Sequence, residues 1–270
     1  MGAYDHGYGE SWQDLLIQRR EGYYTSVTGF HHHPFYEVNL ILSGKVKILL
    51  QDQVQDGCGN FLILTKPRTP HFISCLPDTL YSRLYLSFSP AFVAGTVAEW
   101  GELETVFGER GRILPLNEEQ TAFCQKTIEQ IEKEQNPFRQ RLLILYLLSH
   151  IEELVDDKPA PLAAAPAYII EALAYLNAHY PQKIVAEELA RRLFISRTTL
   201  MTAFKKYTGN TLGEYLGRHR LRQALYLLRQ GQTEQQAAEL CGLGDSSGLI
   251  RSFKKNYGMT PKQYLAQKER

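Results

Sequence analysis

Cysteine is scarce in this 270-residue chain, and the four present (Cys58, Cys75, Cys124, Cys241) include no Cys-x-x-Cys pair. That excludes a disulfide framework or a zinc finger as the basis of the fold and suits a reducing compartment. Long apolar runs are missing too. The longest, residues 142–148, has seven members, against about 20 needed to cross a bilayer. The opening stretch, MGAYDHGYGESWQDLL, is polar and acidic and does not read as a signal peptide. No Gly-rich phosphate loop, Ser/His/Asp set or well-placed carboxylate pair stands out, so no enzyme is expected. Only 20 glycines and 12 prolines are present and 44% of residues are hydrophobic, which rules out a fibre or a disordered chain. What remains is a cytoplasmic globular protein of one large or two ordinary domains, with no membrane partner.

Net charge is nearly absent as well, at +1, but the signs are segregated. Residues 156–166, DDKPAPLAAAP, contain three prolines and four alanines without apolar periodicity. They read as a linker between a domain at 1–155 and another at 167–270. From residue 167 onward, 16 Lys and Arg stand against 8 Asp and Glu; before it, 14 stand against 21. A basic domain concentrates polyanions around itself, although charge alone does not separate nucleic-acid binding from a merely basic surface.

The basic half contains a repeat at an offset of 49 residues. Leu200, Phe204, Lys205, Lys206, Gly209, Thr211 and Tyr215 fall on Leu249, Phe253, Lys254, Lys255, Gly258, Thr260 and Tyr264. Ser196 falls on Asp245, and both are good helix N-caps. Residues 184–193 carry Val185, Leu189 and Leu193 on one helical stripe. A tight connection through Phe194 and Ile195 leads to Ser196 and a second helix that buries Leu200 and Phe204 and ends at Gly209. In the second copy Thr233 caps a helix packing Ala237, Ala238 and Cys241, Gly242 turns the chain, and Asp245 caps a helix burying Leu249 and Phe253. Residues 211–230 form one long helix between the copies, and Thr260-Pro261 starts a terminal one. Each copy reads as a helix-turn-helix.

The outward positions of each second helix are the candidate DNA contacts: Ser196, Arg197, Thr198, Met201 and Thr202, then Asp245, Ser246, Ser247, Ile250 and Arg251. Short polar or Arg side chains in the first turns of such a helix can reach base edges in the major groove. Lys205 and Lys254, each beside a second lysine, are placed for phosphates. A lone lysine pair is ordinarily just a solvated face; recurrence at the same place in both copies favours phosphate contact.

Taken together these residues resemble the AraC/XylS family of transcription regulators over the last hundred positions. The resemblance rests on A-x5-S-x3-L-x3-F-K-K from Ala190, G-x-T-x3-Y from Gly209, R-x3-A-x2-L-L from Arg220, and A-x3-G-L-x5-L-x3-F-K-K-x2-G-x-T-P-x2-Y from Ala238. It implies two helix-turn-helix units held apart by the central helix, with recognition helices entering successive major grooves about 34 Å apart. Leu243 departs from the usual aromatic. Gly244 and Gly248 are also unusual, and Gly248 inside the second recognition helix predicts a weaker base-reading role for that unit, since glycine costs about 1 kcal/mol there.

Residues 30–90 change period. Val38, Leu40, Leu42, Val46, Ile48 and Leu50 alternate on either side of Ser43-Gly44, which predicts a hairpin. Residues 61–64 read as a short buried strand and 81–88 alternate again, pointing to a β-barrel or jelly roll. From 118 to 154 the pattern is helical and broken at Pro137, which predicts an antiparallel pair whose apolar surface is core or a dimer contact. His31, His33 and Glu37 form H-x-H-x3-E, and His71 follows a strand. This resembles the two motifs of a cupin. In cupin enzymes the matching residues hold a metal, whereas the sensor domains of AraC-type regulators bind organic effectors.

The expected fold is therefore multidomain α+β: an N-terminal cupin-like β-barrel with an antiparallel helix pair, then a C-terminal all-α double helix-turn-helix domain. The expected function is sequence-specific regulation of transcription under a small-molecule effector, a sugar or related metabolite. His31, His33, Tyr36, Glu37, His71 and Tyr85 are the expected effector-binding residues, with no metal and no cofactor. Double-stranded DNA, the effector and a second copy of the chain are the expected partners, with RNA polymerase a further candidate. The rivals are a cupin-type metalloenzyme with an appended DNA-binding domain and a constitutive regulator whose first domain only dimerises.

Overall fold

Alternation along the strands decides the architecture of the first half. In the computed structural model, described over residues 14–22, 30–76, 79–97, 103–155 and 163–268, the strands are β1 (Leu15–Gly22), β2 (Tyr36–Ser43), β3 (Lys45–Leu50), β4 (Gln53–Cys58), β5 (Phe61–Thr65), β6 (His71–Cys75), β7 (Tyr81–Phe88), β8 (Arg112–Pro115) and a two-residue β9 (Ala163–Ala164). They build two antiparallel sheets, ordered β1-β7-β2-β5-β8 and β6-β3-β4-β9. Successive side chains point to opposite faces. Ile41, Ile48, Ile63 and Ile73 therefore fill the space between the sheets. Val38, Leu40, Leu62 and Leu84 face outward from the first sheet onto helices. Leu49 and Phe72 face outward from the second sheet into the core of the C-terminal domain.

The helices on the first sheet are α1 (Pro90–Val97), α2 (Glu104–Phe107), α3 (Glu118–Lys133) and α4 (Pro137–Glu153). Asn117 opens α3 with a capping box to Gln120, and Asn136 caps α4 with Pro137 in its first turn. The Phe123 ring lies 5.3 Å from Tyr146 and 3.9 Å from His150 while Gln140 donates back to the Glu134 carbonyl, so the pair is antiparallel as expected.

The Ser43-Gly44 hairpin does not form. β2 pairs with β5 and β7, and β3 with β4 and β6, so at Gly44 the chain crosses from one sheet to the other. Gly44 has φ +95°, and a Cβ there would stand 2.9 Å from the Tyr81 Cα. The alternation continues through the corner, but Val38 and Leu40 serve the helix-facing layer and Val46 and Ile48 the inner one.

The second half is helical: α5 (Ala167–His179), α6 (Ala186–Arg192), α7 (Arg197–Thr208), α8 (Leu212–Arg229), α9 (Glu234–Leu240), α10 (Ser246–Tyr257) and α11 (Pro261–Lys268). Two cores divide it. The first joins α5, α6, α7 and the start of α8; the second joins the rest of α8 with α9 and α10. No described helix is long and apolar enough to cross a membrane. Most of the expected linker, residues 156–162, lies outside the described residues; its end does not hang free, because Ala163 and Ala164 pair with Val54 and Gln53, and the Ala165 amide donates to Asp52.

The halves meet along a polar seam set in apolar surroundings. The Phe30 amide donates to the Tyr215 hydroxyl (2.9 Å), which donates to the Asn177 carboxamide oxygen (2.8 Å), and the Asn177 nitrogen donates back to the Phe30 carbonyl. Asn210 donates to Ser74 at 2.8 Å. Tyr215→Phe keeps the ring but leaves the Phe30 amide and the Asn177 oxygen short of a partner in a buried place. Full-length protein is expected to lose about 1–3 kcal/mol, read from the urea midpoint; an unchanged midpoint would remove the hydroxyl from the stability of the seam.

Candidate functional site

Two sites emerge, one in each half. In the first helix-turn-helix, Phe194 takes φ +56° to turn the chain, the Ile195 amide donates to Ala190, and the Ser196 hydroxyl accepts from the Thr199 amide at 3.0 Å. α7 then buries Leu200, Ala203 and Phe204 and closes on Gly209 at φ +73°. In the second, Thr233 forms a capping box with Gln236. Asp245 accepts from the Gly248 amide at 2.7 Å, and α10 buries Leu249 and Phe253 and closes on Gly258 at φ +73°. The second turn is one residue longer, and both Gly242 (φ +68°) and Gly244 (φ +85°) occupy left-handed backbone that favours glycine.

Gly248 has a structural reason of its own. A Cβ at this position would stand 2.4 Å from the Leu243 carbonyl oxygen. Glycine here lets the longer turn fold tightly against α10.

The structure exposes Ser196, Arg197, Thr198, Thr202 and Lys205 on the first unit and Asp245, Ser247, Arg251 and Lys254 on the second. Ser246 and Ile250 are half-buried, and Met201, also half-buried, packs against the first core. The Arg197 Nε lies 3.1 Å from a Glu187 carboxylate oxygen, an exposed pair of small energetic weight. Each lysine pair stands in the last turn of its helix.

The other site lies between the two sheets. His31 and His71 exchange backbone hydrogen bonds of 3.0 and 2.8 Å, and the Arg68 amide donates to the His33 carbonyl, which fixes the H-x-H segment beside β6. The ring centroids of His31, His33 and His71 lie 4.3–5.7 Å apart, and all three side chains are buried. One Glu37 oxygen sits 2.6 Å from the His33 Nε2 and 3.0 Å from the His71 Nε2. The other accepts from Asn39 at 2.6 Å, and Asn39 accepts from Arg83 at 3.0 Å.

Electrostatics follows from this packing. Burial, then the neighbouring His71 and His33, pushes His31 well below the usual histidine range, so it is neutral. Burial opposes the charge on Glu37, but His71 and His33 outweigh it and hold the carboxyl well below its ordinary value. Burial likewise opposes the charge on His71, and Glu37 outweighs it, raising the imidazole. An ion pair with a neutral histidine beside it thus occupies one end of the barrel interior.

Tyr85 joins this end, its ring 5.5 Å from the Arg83 guanidinium carbon. Tyr36 does not. It points to the opposite face of β2 and packs on Phe88 and Phe107 at 5.4 and 4.8 Å, because neighbours on a strand face opposite ways and Glu37 takes the inner side. Asn39, Thr65 and Arg83 belong to the site without having been singled out in the sequence. The signal available was a polar residue two positions after Glu37 in an otherwise apolar strand.

Residues 189–267 match the family described as helix-turn-helix domain, and residues 17–150 match the AraC-like ligand binding domain. The HTH-type transcriptional activator RhaS of Klebsiella pneumoniae is 26% identical over 250 residues, covering 86% of this chain and 85% of its own length. The Msm operon regulatory protein of Streptococcus mutans is 20% identical over 236 residues, covering 85% and 83%. Among solved structures, ToxT from Vibrio cholerae covers 94% of this chain and 98% of its own at 14% identity, with a TM-score of 0.41.

In an ordinary helix, glycine to alanine stabilises by about 1 kcal/mol. Gly248→Ala is expected to destabilise by about 1–3 kcal/mol instead, because the Leu243 carbonyl must move. A urea titration gives the sign; a gain in stability would show that the turn accommodates the methyl group.

Proposed function

Because the chain belongs to the AraC-type family of DNA-binding transcription regulators, with a ligand-binding domain ahead of its helix-turn-helix domain, we propose that it controls transcription at specific duplex sites in response to a sugar or related metabolite held at the polar end of its barrel. The observation that carries the DNA half is the recurrence in both units of a polar N-cap and a lysine pair in the last turn, with one exposed arginine between them on each helix, Arg197 at the start of α7 and Arg251 in the second turn of α10. Phosphate contacts by Lys205 and Lys254 supply salt-sensitive affinity, and the arginines with Thr198, Thr202 and Ser247 supply base choice.

The effector half is supported by Glu37, Asn39, Arg83, Tyr85 and the three histidines, which place donors and acceptors together in an otherwise apolar interior. Hydroxyl groups of a sugar need both kinds of partner. Occupancy changes DNA binding only to the extent that it favours one arrangement of the two domains. On α4, Phe138, Leu142 and Tyr146 recur every four residues and are exposed, which supports a homodimer joined along that helix.

Anisotropy titrations on a duplex selected from a random library test the DNA half. Affinity is expected to fall steeply with salt, with Lys205→Ala or Lys254→Ala each flattening the logarithmic slope by about one and leaving sequence preference intact. Arg197→Ala is expected to cost about 1–3 kcal/mol on the selected site relative to a mismatched one. A salt-independent affinity rejects the phosphate contacts. For the effector, a thermal-shift screen of sugars is expected to raise the Tm of the wild type and not of Arg83→Ala; no shift with any sugar rejects that ligand class.

A further inference from the structure

Arginine keeps its charge at every ordinary pH, so a guanidinium drawn away from water calls for an anion. Arg20 on β1 and Arg83 on β7 stand directly opposite each other in the register of the first sheet. Opposed residues share a face, and Arg83 turns inward to donate to Asn39, so Arg20 points to the interior as well. Like charges so placed repel. Arg20 is half-buried and makes no hydrogen bond or ion pair among the described residues. The helical half adds two more. Arg218 and Arg222 lie one turn apart on α8, on the side that carries Tyr215. Arg218 donates at 2.7 Å to Asn210, which bonds on to Ser74 of β6. Burial works against the charge on Arg218, and Glu214 one turn earlier offsets part of that cost. Arg222 donates to the His219 Nδ1 at 2.8 Å. Burial, then Arg222 and Arg220, hold His219 well below the usual histidine range, so this partner is neutral. Neutral partners satisfy hydrogen bonds without cancelling charge.

Three neutral groups on separate elements register how these charges converge. Burial pushes the Cys75 thiol on β6 up to about 11, against the pull of Arg83, Tyr81, Arg20 and Arg218. Burial and Tyr264 push up the Tyr257 phenol at the end of α10, against Arg222, Arg20 and Arg218. Burial, then His71 and His33, depress His31, and Arg222 adds to them from across the domain boundary. Guanidinium groups from β1, β7 and α8 therefore converge where the barrel meets the helices.

We propose that Arg20, Arg83, Arg218 and Arg222 bind the anionic group, a carboxylate or a phosphate, of a small molecule that bridges the two halves. Oxygens of either anion accept paired hydrogen bonds from guanidinium groups. The ligand's charge cancels a repulsion that the sheet and α8 otherwise carry. Its hydroxyl-bearing remainder reaches Asn39 and Tyr85 at the polar end of the barrel, which narrows the sugar to a sugar acid or a sugar phosphate. Each half supplies two of the arginines, so occupancy favours the arrangement that keeps both halves at the site. The place of the hydroxyl end rests on the effector reading above; the anion site does not.

Calorimetric titration of full-length protein compares neutral hexoses with the matching hexuronates and hexose phosphates at fixed ionic strength. An anion is expected to bind at least about 10-fold more tightly than its neutral parent, and which anion does so tells carboxylate from phosphate. Arg20→Gln and Arg222→Gln, one in each half, should each remove about 10-fold of that advantage and leave the affinity of the neutral parent unchanged. Equal affinity for neutral and anionic members, or a loss confined to one half's variant, overturns the bridging site while the effector reading stands. A second measurement needs no sugar. Inorganic phosphate stabilises most proteins by exclusion from their surface, so the quantity read is the difference between wild type and variant. Phosphate is expected to raise the Tm of the wild type more than that of Arg20→Gln or Arg222→Gln, each checked for native circular dichroism. An equal rise in all three overturns the anion site. If no hexose or hexose derivative binds, the effector reading fails, and the phosphate comparison still decides the anion site.

Discussion

Neighbouring residues on a strand point to opposite faces, and at His71-Phe72 this puts a residue of the interior polar cluster and a domain-contact residue side by side. His71 turns into the barrel to meet Glu37, while Phe72 turns out to meet Tyr215. The same opposition recurs one step away, where Ile73 packs inside and Ser74 bonds to Asn210 of the helical domain. A single strand thus forms a wall of the interior site and the bed on which the first helix-turn-helix rests. Little can change on one face without being felt on the other, since close-packed layers transmit displacement rather than absorb it.

The polar groups inside the barrel are held in a way that explains why they do not undo it. Glu37 is charged, buried and met on all sides: two histidines on one oxygen, Asn39 on the other, Thr65 beside them. Removing one member of such a set leaves its neighbours uncompensated, which makes the network costly to disturb and specific in geometry. The remainder of the interior is apolar packing, aliphatic side chains with Phe61, Cys75 and Tyr81 among them, and the division between a polar and an apolar end is what gives this domain a site.

The helical half solves one local problem twice with different means. Ser196 and Asp245 both satisfy the third amide of the helix they begin. The first unit turns on Phe194 in a left-handed conformation; the second adds a residue and relies on Gly242 and Gly244. Gly248 then removes the one side chain that would collide with the longer turn. Such local differences leave the paired lysines in the same place on each helix, whereas the arginines differ: Arg197 opens α7, and Arg251 stands in the second turn of α10, where α7 has Thr202.

What the amino-acid order determined by itself was whatever depends on short-range bonds: the caps at Ser196, Thr233 and Asp245, the break at Pro137, and the repeat with its segregated charge. A cap is made by residues three apart, so its signature and its partner lie in the same few letters. The H-x-H-x3-E motif was visible for the same reason. Tertiary structure alone decided that Gly44 is a corner between sheets and not a hairpin, that Tyr36 packs under helices, and that Asn39, Thr65 and Arg83 complete the interior site. It also decided that α5 anchors the first unit and that Phe30, Asn177 and Tyr215 tie the halves together. Those outcomes depend on which strand lies beside which, and on contacts between residues as much as 185 positions apart. Pairing at that range is chosen by how whole layers pack, and no local pattern records it.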